Sequence, residues 1–581
     1  MTQTHAITET PNFLSSDIDL ASPTQIVRIL RQTDAQIFTG YLGYPGMMDD
    51  EILDCLVDLA DRAASTMLNP RGRIVLSGAG TSGRLAMLEA RMFNILFKRV
   101  NPPLIRYLMA GGNAALIQAY EGAEDDPRKA VDDLKDAING ARDVFYIGIT
   151  CGMSAPYIAG QMEYMLTRKN AMAVLLGFNP VELARNMPIE GWPYTFRDTA
   201  RRAEQAPNAR ILNPILGPEP ITGSTRMKSG SATKMLLESL FISAAAMAIS
   251  REKQPEKCSR KLKRDTIYLF LRCHQEAILL AYKSIAEMAK LIELGGNALR
   301  NHGHIYYLGP AGIDQNGSLT EDGNTGILGL IDASECPPTY GADFDDVRGF
   351  LTGGWRTLFP FEDTDLSNLG AHYRISIEDF MRDKWPNLSK NDLCVFIGQF
   401  EETRELVRQA RAKGAKTAVI TSKKDKCKAH VTIWLLQPPF EHALGSTLYD
   451  LQVKLVLNAL TTGAHVLAGK VFGNRMVDLR ISNNKLFHRT MGIICDLMKV
   501  SPEAARDALL KSIYQTTTLT DAQRNASISE CIESAKLVEK VVPKALLLAT
   551  GKFTCADAEN DLRKNPIVRS VIGKHVKTAQ T

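Results

Sequence analysis

Gly78-Ala79-Gly80-Thr81-Ser82-Gly83-Arg84 decides the reading of this chain, because it closes a strand-like run, Arg73-Ile74-Val75-Leu76-Ser77, and opens directly onto a helical pattern. Glycines let backbone amides approach an anion, the Thr81 and Ser82 hydroxyls add donors, and a helix N-terminus supplies a favourable dipole. The stretch therefore reads as a phosphate cradle of a size and polarity suited to a sugar phosphate. It lacks the lysine of a P-loop, although Gly78-x-Gly80-x-x-Gly83 is also the spacing of dinucleotide sites. Such a turn also serves plain helix packing, so the segments around it have to decide.

Upstream, residues 24–67 carry apolar side chains at helical spacing (Ile26, Val27, Ile29, Leu30, then Ile52, Leu53, Leu56, Leu59), broken at Gly43-Tyr44-Pro45-Gly46. This predicts an N-terminal helical layer. Downstream, β-rich runs at 74–76, 105–109, 144–149, 173–177 and 209–214 alternate with amphipathic helices. Alternation of this kind predicts a parallel sheet with helices on both faces, and ligands bind such sheets at the carboxyl ends of the strands, where the cradle lies. The third run ends in a second hydroxyl-and-glycine loop, Thr150-Cys151-Gly152-Met153-Ser154-Ala155-Pro156. The acidic turn Glu121-Gly122-Ala123-Glu124-Asp125-Asp126 either reaches sugar hydroxyls or stands solvated. Thr222-Gly223-Ser224-Thr225-Arg226-Met227-Lys228 brings hydroxyls and cations to the start of a long apolar helix over 231–247, again an anion-friendly arrangement.

The charged stretch 251–264 reads as a connector, after which helices to 296 and a strand, His304-Ile305-Tyr306-Tyr307-Leu308-Gly309, restart the pattern. The chain is internally duplicated on this reading. Residues 393–398 repeat 144–148, residues 416–421 repeat the fourth strand, and Gly445-Ser446-Thr447 with the apolar run 451–460 echoes Gly223-Ser224-Thr225 and its helix. The second copy is degraded where phosphate would bind: its first loop, 314–324, is swollen and acidic, and Gln399-Phe400-Glu401-Glu402 replaces the second hydroxyl loop. One phosphate site, not two, is expected. From 490 to 574 the pattern is helical, with Ser501-Pro502-Glu503 a capped helix start.

A chain of 581 residues exceeds a single core. The net charge of +5 is small for this length and no basic block is interleaved with aromatics, which argues against nucleic acid. The opening residues show no secretory pattern, the apolar run 236–249 is too short to cross a bilayer, and ten scattered cysteines lack metal-ligand spacing. The expectation is a cytoplasmic protein, or a nuclear one in a eukaryote, with reduced thiols, no metal and no cofactor.

The cradle, Glu-Gly-Ala-Glu-Asp at 121–125, Gly217-Pro218-Glu219 with Thr222 to Lys228, Asp332-Ala333-Ser334-Glu335-Cys336-Pro337-Pro338-Thr339, and Lys470-Val471-Phe472-Gly473-Asn474-Arg475-Met476-Val477-Asp478 together resemble the sugar isomerase (SIS) proteins. More narrowly they resemble the group that joins N-acetylmuramic acid 6-phosphate etherase and the glucokinase regulatory protein, over almost the whole chain. Residues 341–351 and 479–487 are similar to the regulatory branch in particular.

The resemblance implies an α/β fold of two tandem SIS domains, each a three-layer α/β/α unit with a parallel sheet. The boundaries are an N-terminal helical segment 1–70, SIS domains 71–250 and 301–480 with a helical connector 251–300, and a helical cap 481–581. A phosphorylated sugar (fructose 6-phosphate, fructose 1-phosphate or a relative) is implied between the domains, setting the inhibition of a glucokinase or hexokinase. Gly80, Thr81, Ser82 and Thr150 are implied on the phosphate with Lys485 and Arg489 closing over it, and Glu124, Cys151, Gly152, Ser154 and Arg226 along the sugar, with Glu335 from the second domain. Without the resemblance, Lys485 and Arg489 read as solvated surface cations. The related etherase uses two acids, corresponding here to Glu335 and Asp125, to eliminate lactate; Met92 holds the first domain's glutamate position, so one set is completed only by both domains together. Catalysis of that kind, or by a Glu335-assisted isomerase, is the alternative to a regulator with no catalytic residue. The second hydroxyl loop follows the regulatory form, whereas Pro337-Pro338 is the etherase's pair. The implied kinase-binding patch is Trp434-Leu435-Leu436, whose plain reading is a strand end packed in the core; the family's aromatic continuation is absent, replaced by Gln437-Pro438-Pro439.

Overall fold

The computed structural model describes residues 6–576 apart from 101, 119, 121, 254–258, 315–316, 321, 337–345, 401, 424–426, 437–442, 482–483, 537 and 566, and apart from the side chains of 252, 253, 443, 444 and 485. The proline pair at 337–338 and the continuation 437–439 lie outside the described residues.

Two helices, α1 (Pro23–Ala35) and α2 (Asp50–Leu68), precede the first sheet. Ser22 starts α1 with a capping box shared with Gln25, and Pro23 stands in the first turn, where its missing amide costs nothing. There follow β1 (Gly72–Gly78), α3 (Thr81–Leu96), β2 (Ile105–Met109), α4 (Pro127–Ala137), β3 (Asp143–Ile149), α5 (Pro156–Leu166), β4 (Ala171–Leu176), α6 (Phe196–Gln205) and β5 (Ala209–Leu212). Then come α7 (Lys228–Lys253), α8 (Arg260–Ala281) and α9 (Ile285–Arg300). The second alternation is β6 (Ile305–Gly309), α10 (Thr325–Ser334), β7 (Val347–Leu351), α11 (Gly354–Leu358), α12 (Ile377–Asp383), β8 (Leu393–Ile397), α13 (Thr403–Ala412), β9 (Lys416–Thr421) and β10 (Val431–Trp434), followed by α14 (Ala443–Leu467). A small ribbon, β11 (Val471–Phe472) with β12 (Arg475–Met476), leads to α15 (Asn484–Met498), α16 (Pro502–Tyr514), α17 (Asp521–Arg524), α18 (Ile528–Ala535), α19 (Val541–Leu548), α20 (Cys555–Lys564) and α21 (Val568–Ile572).

Both sheets are wholly parallel and share one topology. The first runs β2-β1-β3-β4-β5, and the second, β7-β6-β8-β9-β10, has the same order of strands within its copy. The duplication seen in the residue pattern is therefore a duplication of fold. In this order the chain reverses direction across the sheet between the first and third strands, so the loops after β1 and β3 open on one crevice.

The inner faces of the two sheets and the helices between them, α2, α3, α7, α8, α9, α10 and α14, form one continuous apolar core. Each sheet has its own outer core, under α4, α5 and α6 in the first and α12 and α13 in the second. The last helices form a separate core of their own around Phe487, Leu509, Leu546 and Leu562. One buried guanidinium locks the two sheet units: Arg91 of α3 donates to Leu358 O (3.0 Å), Asn324 Oδ1 (2.8 Å), Ala311 O (2.9 Å) and Thr357 O (3.0 Å), all in the second unit.

Three expectations change. The charged stretch 251–264 is not merely a connector, because Arg260, Lys263 and Arg264 open α8 and pair with Asp58, Asp61 and Asp50 along α2. Gly445-Ser446-Thr447 lies inside the first turns of α14, whereas Gly223-Ser224-Thr225 precedes α7 as a turn, so the echo is one of residues and not of backbone. The apolar helix α7 is longer than 236–249. Residues 228–251 reach the length and apolarity that would cross a bilayer, but 78% of an apolar 18-residue window within them is buried inside the structure.

Candidate functional site

The cradle begins with a close approach. A Cβ on Gly78 would stand 2.5 Å from the Ser82 carbonyl carbon, so only glycine lets β1 turn this tightly into α3. Gly80 then takes φ +52° and ψ −126°, outside the reach of ordinary side chains, and its carbonyl accepts the Arg84 amide at 3.0 Å. Thr81 and Ser82 thus occupy the first turn of α3, at the positive end of the helix dipole. Arg84, one turn further, is buried and donates Nε to Leu116 O (2.8 Å) and Nη2 to Ala115 O (3.0 Å), fixing the turn that follows β2.

The second hydroxyl loop lies beside the first. Thr150 Oγ1 accepts the amides of Ser154 (3.2 Å) and Ala155 (3.3 Å), which shapes the loop into a cup before α5. Cys151 Sγ sits 3.6 Å from Ser82 Oγ, joining the two loops.

These loops line a cavity of about 500 Å³ that also takes in the C-terminal end of α10 from the second sheet unit. Of the residues expected there, Gly80, Thr81, Ser82, Glu124, Thr150, Cys151, Gly152 and Ser154 line it from the first unit, with Arg226 from the turn before α7. Glu335 lines it from the second unit and Arg489 from α15. Asp125 does not line it: its carboxylate accepts Asn484 Nδ2 at 3.1 Å. Lys485 belongs to α15, and its side chain lies outside the described residues.

Glu335 is the chemically distinctive group. Burial pushes its carboxyl up, against the pull of Arg84, Lys454, Arg226 and the Thr81 hydroxyl. Its Oε1 is buried with no hydrogen-bond partner among the described residues. An acceptor held this way beside an anion cradle is set to meet a ligand hydroxyl or to exchange a proton.

Arg226 lines the cavity, yet its guanidinium is committed. Nη1 donates to Asp332 Oδ1 (2.9 Å) and Thr461 Oγ1 (3.0 Å), and Nη2 to Thr462 Oγ1 (2.9 Å). It is a bridge between the units as much as a cavity wall. Arg489 is likewise engaged, by Glu9 and by the Gly223 carbonyl.

The second unit's equivalent of the cradle is filled from within. The amide of Asn324, which caps α10 as Gly80 caps α3, donates to the Asp450 carboxylate at 2.9 and 3.2 Å. An internal carboxylate therefore stands at that helix start, beyond the swollen loop expected there.

The patch Trp434-Leu435-Leu436 divides. Leu435 is 2% exposed and belongs to the shared core, which corrects its expected place on a docking surface; alternation along the strand turns it inward. Trp434 and Leu436 are each 52% exposed on the edge strand β10 and just after it, so the plain core reading fails for them. None of the three lines the cavity.

Sequence reasoning missed Glu9, Lys454 and His465. Lys454 donates to Arg226 O (2.8 Å), Ser231 Oγ (3.3 Å) and Asn458 Oδ1 (2.8 Å) and stands near Glu335. A lone lysine inside the apolar run 451–460 was its signal; Glu9, in a short turn far from every motif, offered none.

Family models described as the glucokinase regulatory protein N-terminal SIS domain, its second SIS domain and its C-terminal lid domain match residues 57–166, 282–432 and 473–572. The chain is 35% identical over 599 residues to the glucokinase regulatory protein of Xenopus laevis, covering 97% of this chain and 92% of that one. It is also 35% identical over 589 residues to the Homo sapiens protein, covering 97% and 91%. The N-acetylmuramic acid 6-phosphate etherase of Clostridium beijerinckii is 32% identical over 242 residues, which is 40% of this chain and 72% of the etherase.

Proposed function

Since this chain belongs to the glucokinase regulatory protein family, we propose that it binds a phosphorylated sugar in the cavity between its two sheet units and uses that occupancy to regulate a sugar kinase. The observation that carries this is the meeting of the Thr81-Ser82 cradle with Glu335 of the other unit in one cavity. Thr81, Ser82 and Thr150 receive the phosphate, with Lys485 nearby on α15. Glu124, Gly152, Ser154 and Glu335 receive sugar hydroxyls. The ligand is fructose 6-phosphate or fructose 1-phosphate, the partner a glucokinase or hexokinase, and the compartment the cytoplasm, or the nucleus in a eukaryotic cell. Exposed Trp434 and Leu436 supply the apolar contact for that partner. The domain boundaries at 70, 250, 300 and 480 belong to the same reading.

Fructose 6-phosphate then raises the melting temperature of the full chain, a saturating dose adding about 2.7 kcal/mol at a hundredfold excess over Kd. Thr81→Val combined with Ser82→Ala removes the shift. Kinase inhibition that responds to fructose phosphates and is lost in a Trp434→Ala, Leu436→Ala chain supports the regulatory half. An unshifted melt with every hexose phosphate tested overturns the binding half.

The raised Glu335 carboxyl, whose Oε1 has no hydrogen-bond partner among the described residues, favours one second reading, elimination of lactate from N-acetylmuramic acid 6-phosphate. Against it, the second acid, Asp125, lies off the cavity wall. Sustained lactate release that disappears in Glu335→Gln decides for the enzyme.

A further inference from the structure

Glu9 reaches the cavity from a segment that belongs to neither sheet. Its neighbour Thr8 is held on both sides. The Thr8 amide donates to Asn179 Oδ1 (3.1 Å), and Asn179 Nδ2 donates to Thr8 Oγ1 (2.9 Å) and to Gly152 O (3.0 Å). The Gly223 amide donates to Thr8 O at 3.2 Å. That double attachment sets Glu9 on the wall that also holds Thr81, Ser82 and Ser154. Arg489 meets it there with a fork: Nε donates to Glu9 Oε2 (2.9 Å) and Nη2 to Glu9 Oε1 (2.6 Å), while Nη2 also donates to Gly223 O (3.0 Å). The side chains of Arg489 and Glu9 are 9% and 29% exposed. A two-point guanidinium–carboxylate contact of this kind is the strong form of a charge-assisted hydrogen bond.

Resting on the sugar-phosphate reading of the cavity, we propose that Glu9 is a specificity-determining residue that restricts the site to ligands with a single anionic group. The reason is charge balance. One phosphate finds its donors at Thr81, Ser82 and the start of α3. A second anionic group, whether phosphate or carboxylate, needs a cation of its own, and among the cations that line the cavity Arg489 is matched by Glu9, Arg226 by Asp332 and Lys470 by Asp478, while Arg84 and Arg348 donate to backbone carbonyls. Such a group also meets the Glu9 charge in a partly desolvated space, where like charges repel more strongly than in water. A sugar hydroxyl suffers neither penalty and can donate to a Glu9 oxygen.

Calorimetric titration of the full chain with fructose 6-phosphate and fructose 1,6-bisphosphate tests this, in the wild type, Glu9→Gln and Glu9→Asp. The wild type binds the monophosphate roughly tenfold or more tightly than the bisphosphate, the scale of one charged hydrogen bond. Glu9→Gln releases Arg489 from its counter-charge and brings the bisphosphate within about threefold of the monophosphate. Glu9→Asp keeps the charge and keeps the wild-type preference. A monophosphate preference unchanged in Glu9→Gln, or absent in the wild type, overturns the proposal. Failure of both ligands, and of fructose 1-phosphate beside them, to titrate into the wild type overturns the sugar-phosphate reading itself and this proposal with it. Should Glu9→Gln fail to fold, the wild type alone decides: the preference must weaken as salt rises from about 0.05 M toward about 1 M, and a salt-independent preference overturns it.

Discussion

His465 shows how one ring is held neutral at the cavity. Its Nδ1 lies 2.7 Å from the Thr461 carbonyl one turn earlier in α14, which makes Nδ1 the protonated nitrogen, and its Nε2 is buried with no partner among the described residues. Burial pulls its pKa down from 6.5 to about 4; the Thr461 carbonyl opposes the fall, and Lys470 and Arg226 add to it. A base whose folded pKa is depressed contributes stability that is fully present above the unfolded value and is lost as pH falls through that value toward the folded one. The melting-temperature gap between wild type and His465→Gln is therefore expected to narrow between pH 6.5 and pH 4. A gap that stays constant across this window would sink the assignment. At this scale the sequence was legible where a residue's role is local. Thr150 accepts the amides of Ser154 and Ala155 within its own turn, and turn chemistry is written in neighbours. Arg226 was harder, because its guanidinium is spent on Asp332, which lies 106 positions away.

Helices α4 and α5 meet at a point where one methyl group decides the spacing. A Cβ on Gly160 would lie 2.2 Å from the Pro127 carbonyl oxygen and 2.9 Å from its carbonyl carbon, both rigid backbone atoms. Pro127 is the first residue of α4, and Asp126 before it caps the helix by accepting the amides of Arg128 and Lys129. Gly160→Ala is thus expected to push the start of α4 away, costing about 1–3 kcal/mol in urea unfolding, as overpacking usually does. On the proposed function it also weakens the thermal shift expected with fructose 6-phosphate, since the turn bearing Glu124 moves with Asp126. Full stability with a full ligand response would refute this. The strands of the first sheet were legible at this scale, within a few residues of the observed ends, because hydrophobic runs between glycine-rich turns are local signals. In the second sheet β7 was not recognised. Equally buried β6 and β8 read as apolar runs, whereas β7, Val347-Arg348-Gly349-Phe350-Leu351, is interrupted by a charge and a glycine. The interruption of the second cradle was legible as a swollen loop, but its occupant, Asp450, was not, since it arrives from α14.

Asn474 ties the whole molecule together. Buried in the turn of the β11–β12 ribbon, it donates Nδ2 to Asn12 O (2.8 Å) and to Ser15 Oγ (3.2 Å), accepts the Thr222 hydroxyl on Oδ1 (3.2 Å), and its carbonyl accepts the Thr222 amide (2.8 Å). Nearby, the Gly473 amide donates to Asp19 Oδ2 (2.6 Å), and Arg569 pairs with the same carboxylate at 2.8 Å. Residues 7–20 thus form a strap between the first sheet unit and the separate core of the last helices. Asn474→Ala leaves several of these groups unsatisfied and is expected to cost about 2–4 kcal/mol. Hydrogen exchange should then quicken in the strap and in α15 to α21 while both sheets keep their protection; a uniform change throughout the chain would contradict this division. Fold and cavity were legible from repeated motifs, but the strap was not, because its partners are set by contacts between distant parts of the chain. That distance also orders events during synthesis. Asn12 leaves the ribosome 462 residues before Asn474, and Asp19 leaves 550 residues before Arg569. At roughly 5–20 residues per second the delay is on the order of a minute. During that interval the strap can lie against the nascent first sheet through its contacts with Pro218 and Pro220, but its fastening is incomplete. The charged fork between Glu9 and Arg489 closes only once residue 489 has been made, 480 positions after Glu9, so no shorter nascent chain can present the finished cavity.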